Sequence, residues 1–376
     1  MHHSTLLSLF TSVVGLSTLA VAHDLGAHDA SRFALEKRCT GTIASLSDVS
    51  AAVKCKTINI KSFKVPVGKT FDLSLLDGTI VNVLGDITFA TGKDWEGPLM
   101  QVAGNSITWN GNGHKMDGNG AYWWDGKGSN GGRTKPRPMF KVKISGTMSN
   151  VYLLNPPVQA FSVANKAALT ISGATVDVAD GNKNSKGHNT DAFDVSGSTS
   201  LTIKNSKIDN QDDCIAINDA TSLIFDSNTC NGGHGISIGS IKTGKNVKGV
   251  TISNNIVTNS QQGLRIKTYV GATDASVSDV TYSGNTVTNA TKYGVVIQQD
   301  YTNEGATGKA SNSVSIKNVK FSGSKSTVKV GSKGQQVYVL CGSSSCSGTW
   351  DWSKLSTSGG SKGSVKNAKI SGWSAT

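Results

Sequence analysis

Asn189-Thr-Asp-Ala-Phe-Asp-Val195, Asp212-Asp-Cys-Ile-Ala-Ile217, Gly233-His-Gly-Ile-Ser-Ile238 and Gln262-Gly-Leu-Arg-Ile-Lys267 follow one another within a single stretch, Asn189 to Lys267. They superimpose without gaps: Asp191 to Val195 lies against Asp213 to Ile217, His234 to Ile238, Gln262 to Ile266 and Tyr293 to Ile297. Apolar residues alternate in each run, the period of a half-buried strand. Beside them runs a second series, Leu201 to Ile203, Leu223 to Phe225, Val250 to Ile252 and Val280 to Tyr282, whose starts are 22, 27 and 30 residues apart. Repeats of that length, built from short strands and Asn/Gly/Ser turns, predict a parallel β-helix. Each repeat is one coil, stacked on the last at about 4.8 Å.

Stacking puts Asp191, Asp213 and His234 in one column on three successive coils, with Asp212 beside Asp213. Arg265 and Lys267 follow one coil later, and small residues between, Ala216 and Ser237, floor an open groove. Carboxylates, an imidazole and two cations on one groove suit acid/base work on an anionic polymer. Asp191 and Asp213 share the parity of Phe193 and Ile215, which face inward. The strands therefore either begin after them or carry a bulge that re-aims them.

Each signature has a plain reading of its own. Asn189-Thr-Asp191 reads as a turn, Asp212-Asp213 as a solvated loop, and Arg265 and Lys267 as an outward strand face. His234 between two glycines has no packing reason to be there. All four in this order resemble the signature set of the glycoside hydrolases of family 28, and the chain from about Cys39 to at least Tyr301 is similar to its fungal endopolygalacturonases. The resemblance implies an all-β, right-handed parallel β-helix with a short N-terminal capping helix. It implies endo-hydrolysis of the α-1,4-galacturonosyl bonds of polygalacturonate, with inversion at the anomeric carbon. By the same resemblance Asp212 is the general acid, Asp191 and Asp213 activate water, and His234 helps hold Asp212 protonated. Crowded carboxylates raise one another's pKa, which keeps a proton available. Arg265 and Lys267 bind a galacturonate carboxylate. Tyr301 contacts sugar near the scissile bond, and Asn189 is a further substrate ligand. No metal or cofactor is called for.

Three other readings compete. A pectate lyase shares the fold but needs an arginine base and a calcium cage. A wall-binding solenoid has no use for Asp212, Asp213 and His234 together. Exo-acting or rhamnogalacturonan-cleaving relatives need inserts that close the groove, for which the 338 residues after Arg38 leave little room.

Composition agrees with a solenoid: 376 residues, 37% hydrophobic, 43 glycines and 6 prolines. The formal charge of +12 suggests an anionic partner. Scattered lysines and no zinc-finger or RNP-like pattern speak against nucleic acid. Residues 1–22 read as a signal peptide, with an apolar core too short and too Ser/Thr-rich to anchor in a membrane. Residues 23–38 read as a pro-peptide ending in Lys37-Arg38, and residues 39–376 as one catalytic domain, secreted and monomeric. All six cysteines follow that site, and an even count after a signal peptide implies disulfides. Six allow 15 pairings. The family resemblance implies nearest neighbours: Cys39–Cys55, Cys214–Cys230 and Cys341–Cys346. The chain lacks the further C-terminal bridge often found in those enzymes. Ser45 to Lys56 predicts the capping helix, with Ser45 or Ser47 as N-cap. Tyr122-Trp-Trp124 resembles a family loop near the cleft and reads as an aromatic plug. Asn289-Ala-Thr291 is a glycosylation sequon on a turn.

Overall fold

The computed structural model describes residues 39–373. The signal-peptide and pro-peptide expectations lie outside the described residues. The strands stack as a parallel β-helix, and one sheet takes one strand from each of eleven successive coils. Every named strand pairing is parallel except one hairpin, where Tyr301 and Thr302 meet Ala306 and Gly305.

The register follows the sequence repeat. Phe193 pairs with Ile215, Ile215 with Ile236, Ile236 with Leu264 and Leu264 with Val295. In the second series Leu201 pairs with Leu223, Leu223 with Val250 and Val250 with Val280. Identical positions therefore stack, and inward residues form continuous columns. Phe140, Phe161 and Phe193 make one such column, with ring centroids 5.7 and 4.9 Å apart.

A polar column lies at one corner. Asn228, Asn255 and Asn285 are each at most 1% exposed. Asn255 Nδ2 donates to Phe225 O at 2.9 Å and to Asn285 Oδ1 at 3.0 Å. Its Oδ1 accepts the Asn228 backbone N–H at 2.9 Å. Each amide thus answers the backbone groups that the turn of its coil leaves open.

The two ends are closed differently. At the N-terminal end the expected helix is shorter than predicted: a 3₁₀ turn, Leu46–Asp48, runs into a single α-turn, Val49–Ala52. Neither Ser45 nor Ser47 caps it; Asp48 reaches back instead, accepting Ala44 N–H and Ser45 Oγ–H at 2.9 Å. The Cys39–Cys55 bridge draws the chain back, and the next strand starts at Thr57. Gly41 is required beneath this turn, because a Cβ there would come within 2.8 Å of Ala52. The C-terminal end holds by aromatic packing: Trp352 lies 6.2 Å from Trp350, 6.3 Å from Trp373 and 5.1 Å from Phe321, centroid to centroid. The cysteines pair as Cys39–Cys55, Cys214–Cys230 and Cys341–Cys346.

Candidate active site

Asp191 and Asp213 do not face the core, because the strands Phe193–Lys204 and Ile215–Asp226 begin after them. Their backbones still stack: Ala160 N–H donates to Asp191 O, and Ala192 N–H to Asp213 O. Of the two expected ways out of the parity conflict, it is the late start that frees both side chains.

They open onto a groove of about 420 Å³ lined by Asp191, Asp194, Asp212, Asp213, His234, Arg265, Lys267 and Tyr301, among others. Along its floor runs one register column, Ser162, Asp194, Ala216, Ser237, Arg265, Val296 and Tyr338, of which Asp194, Ala216, Arg265 and Tyr338 line the groove. A second hollow, lined by Arg137, Gln159, Ser162 and Asp194, extends it towards the N-terminal coils.

Asp213 is 1% exposed. Lys267 Nζ lies 2.7 Å from its Oδ2, Ser237 Oγ donates to its Oδ1 at 2.6 Å, and Arg265 is 3.9 Å away. Asp212 Oδ1 lies 2.9 Å from His234 Nδ1 and accepts the Asp213 N–H at 2.9 Å. Its Oδ2 accepts Asn189 Nδ2–H at 3.2 Å. The Arg265 guanidinium and Lys267 ammonium both lie over the Tyr301 ring, 5.5 and 5.3 Å from its centroid. All eight expected site residues therefore converge.

Protons are unevenly shared. Burial, then the charges of Asp212, Asp194 and Asp213, raise Asp191 well above the ordinary range. Burial, then Asp213 and Asp212, push Asp194 up to about 7. Burial works the same way on Asp212. There the hydrogen bond and charge of His234, with Lys267 and the Asp213 N–H, outweigh it and hold the carboxyl low. For His234, burial opposes charging, but the Asp212 hydrogen bond and charge prevail and raise it. Both shifts favour the ion-paired form of Asp212 and His234 over the neutral one. This runs against the expectation that His234 holds Asp212 protonated: a donor hydrogen bond favours the carboxylate.

Three further outcomes differ in detail. Asn189, expected on substrate, has its amide engaged by protein on both sides, its Oδ1 accepting Ser129 N–H at 3.0 Å. Trp123 and Trp124 are buried, and Trp124 Nε1–H donates to Pro156 O, as a plug would. Asn289, expected on a turn, is exposed but lies within the strand Thr286–Ala290, at an irregularity of its register where its φ is +60°. Asp194 was missed as a fourth carboxylate, although it shares its register with Ala216 and Ser237. The ligand atoms of Asp212, Asp213 and His234 lie within 4.8 Å of one another, close enough for a cation. Lys267 and Arg265 already supply positive charge at that place.

A profile described as Glycosyl hydrolases family 28 matches residues 55–375. The chain is 47% identical over 332 residues to a protein called probable endopolygalacturonase I from Aspergillus terreus, covering 87% of this chain and 88% of that one. Among solved structures it is similar to endopolygalacturonase I from Stereum purpureum complexed with two galacturonate: TM-score 0.84, 45% identity, covering 88% of this chain and 98% of that one. An endo-xylogalacturonan hydrolase from Aspergillus tubingensis, at 23% identity and TM-score 0.62 over 88% of this chain and 96% of that one, shares the fold.

Proposed function

The chain belongs to family 28 of the glycosyl hydrolases, and we propose that Asp212 is the general acid of the endo-hydrolysis of polygalacturonate that it carries out. The observation that carries this reading is the contact between Lys267, Arg265 and a buried carboxylate cluster on the floor of a groove that continues past the cluster. A polymer lying along the floor places one galacturonate carboxylate on the two cations. Its next glycosidic bond then lies over Asp212.

Acid catalysis needs a proton on Asp212, and the resting ion pair holds one close by. Substrate in the groove excludes water, which weakens an ion pair relative to its neutral form. Its carboxylate also competes with Asp213 for Lys267, adding negative charge beside Asp212. Both effects draw the proton across the 2.9 Å from His234 Nδ1 to Asp212. Asp212 then protonates the departing glycosidic oxygen. Asp213, released in part from Lys267, and Asp191 orient a water and accept its proton, and attack from the opposite face inverts the anomeric carbon. A second reading makes Asp191 the acid, because burial raises its pKa and favours its protonated form.

Secretion is supported by the three disulfides, which suit an oxidising compartment. No helix among the described residues is long and apolar enough to cross a membrane. Amino-terminal sequencing of the secreted protein should start at Cys39. The monomeric state is likewise our reading, testable by sedimentation.

Product analysis on de-esterified polygalacturonate tests the reaction. New reducing ends, no near-ultraviolet chromophore, an early fall in viscosity and no change with EDTA are expected. An unsaturated, ultraviolet-absorbing product restored by calcium after chelation would replace hydrolysis by elimination.

A further inference from the structure

The loop from Asp125 to Lys135 lies outside the repeat, yet it reaches the acid. Lys135 is 3% exposed. Its ammonium donates to Asp125 Oδ2 at 2.8 Å, Gly128 O at 3.0 Å, Gly131 O at 3.3 Å and Arg133 O at 3.0 Å. A buried cation with four oxygens around it fixes the loop as a ring about one nitrogen. Arg133 ties the outside of the ring to Asp94, at 2.6 Å, and stacks 4.7 Å from the ring centroids of Tyr122 and Trp123.

The ring delivers one residue. Ser129 donates its backbone N–H, at 3.0 Å, and its Oγ–H, at 3.2 Å, to Asn189 Oδ1. Gly128 allows this approach, since a Cβ there would lie 2.5 Å from both Asn189 Oδ1 and His188 O. A second tie holds the same edge, Gly126 N–H donating to Lys186 O at 2.9 Å. Both donors of Ser129 converge on this one oxygen, so together they decide which end of the Asn189 amide is oxygen. The other end, Nδ2, then faces Asp212 Oδ2 at 3.2 Å.

We infer that Ser129, held by the Lys135-centred loop, is a positioning residue: it fixes the Asn189 amide so that its NH₂ group aims and polarises Asp212. An unfixed amide can turn its oxygen to Asp212. The carboxylate then loses a donor, and its proton is held more tightly. The acid is also less well aimed, and small misplacements of a reacting group are costly. Two signatures follow from one cause. The rate maximum falls, and the alkaline limb of the pH–rate profile moves to higher pH.

The inference rests on Asp212 being the acid. It is tested with the full mature enzyme on polygalacturonate by kcat and KM across pH. Ser129→Ala, which keeps the N–H donor, should lower kcat about three- to tenfold, the range for one lost hydrogen bond. KM should change less than twofold, and the alkaline limb should rise. Ser129→Thr, which keeps a hydroxyl, should restore both. Lys135→Met, which releases the whole loop, should show the same signature more strongly in whatever fraction folds. A fall in kcat with an unmoved limb, or failure of Ser129→Thr to rescue, would overturn it and make the loop merely structural. Asp212→Asn separates the two readings. If that variant keeps its alkaline limb, the assignment of the acid fails. If it loses turnover while Ser129→Ala changes nothing, only the present inference fails.

Discussion

Two polar columns run up this β-helix, and they are opposites. Asn228, Asn255 and Asn285 stack in the core with donors matched to acceptors on successive coils. Asp191, Asp213 and His234 stack coil on coil at the groove, where charged groups meet charged partners: Asp213 with Lys267, and His234 with Asp212. In the first column a neutral amide meets its own kind, and identical neighbours are an advantage. In the second, burial and then like-charged neighbours raise the pKa of Asp191, and they do the same to Asp194 in the adjoining floor column, so both carboxyl groups bind protons more tightly than usual. A solenoid repeats position faithfully, so the residue type chosen for a column decides whether repetition stabilises it or makes it reactive.

The largest way to break the contrast is in the charged column. Asp212→Asn should lower kcat about 10²- to 10⁴-fold, the range for a general acid. It removes the transferable proton and little volume, so oligogalacturonate should still bind, as calorimetry would show. A variant that turns over normally would move the acid elsewhere in the cluster.

The neutral column should behave inversely. Asn255→Ala leaves the Asn228 N–H and Phe225 O unpaired in the core. Each such group costs about 1–3 kcal/mol, so the melting temperature should fall by several degrees. Activity per folded molecule at 25 °C should be unchanged. A variant that loses turnover but not stability would erase the distinction between the columns.

The smallest effect sharpens it. Asp194 binds its proton more tightly folded, at about 7, than an ordinary aspartate does at 3.8. Its contribution to stability is therefore complete below about pH 4 and is lost as pH rises through about 7. Asp194→Asn cannot ionise. Its melting temperature should fall less between pH 4 and pH 8 than that of the parent, a difference on the order of a few degrees. Parallel pH dependences would show that Asp194 ionises without penalty.

The repeat was legible because register in a β-helix is set by local alternation, and every superposition from Asp191 to Tyr293 matches a strand pairing. What periodicity could not decide was where a strand starts, which is why the aim of Asp191 and Asp213 stayed open. Nor could it give the Lys267–Asp213 pair, 54 residues apart, which depends on the reach of a long side chain. The direction of the Asp212–His234 pair depends on a balance of burial against charge that no spacing encodes. The loop that meets Asn189 across 60 residues lies outside the repeat and has no partner register to betray it. At the C-terminal end, Trp350, Trp352 and Trp373 do the closing, and three tryptophans without a period gave no warning of it.

The parallel stacking also sets an order of assembly. Each coil touches chiefly the coil before and the coil after, so folding can advance along the chain as synthesis proceeds. The proposed catalytic column spans three consecutive coils, and its cations arrive on the next. Once the chain has been made as far as Tyr301, every residue of the proposed chemistry is present on neighbouring turns. The chain beyond, up to the exposed strand Ser361–Lys366, adds groove lining such as Glu304 and Tyr338 but none of the proposed catalytic groups. On a nascent chain the machinery is complete before the end that seals it has been translated.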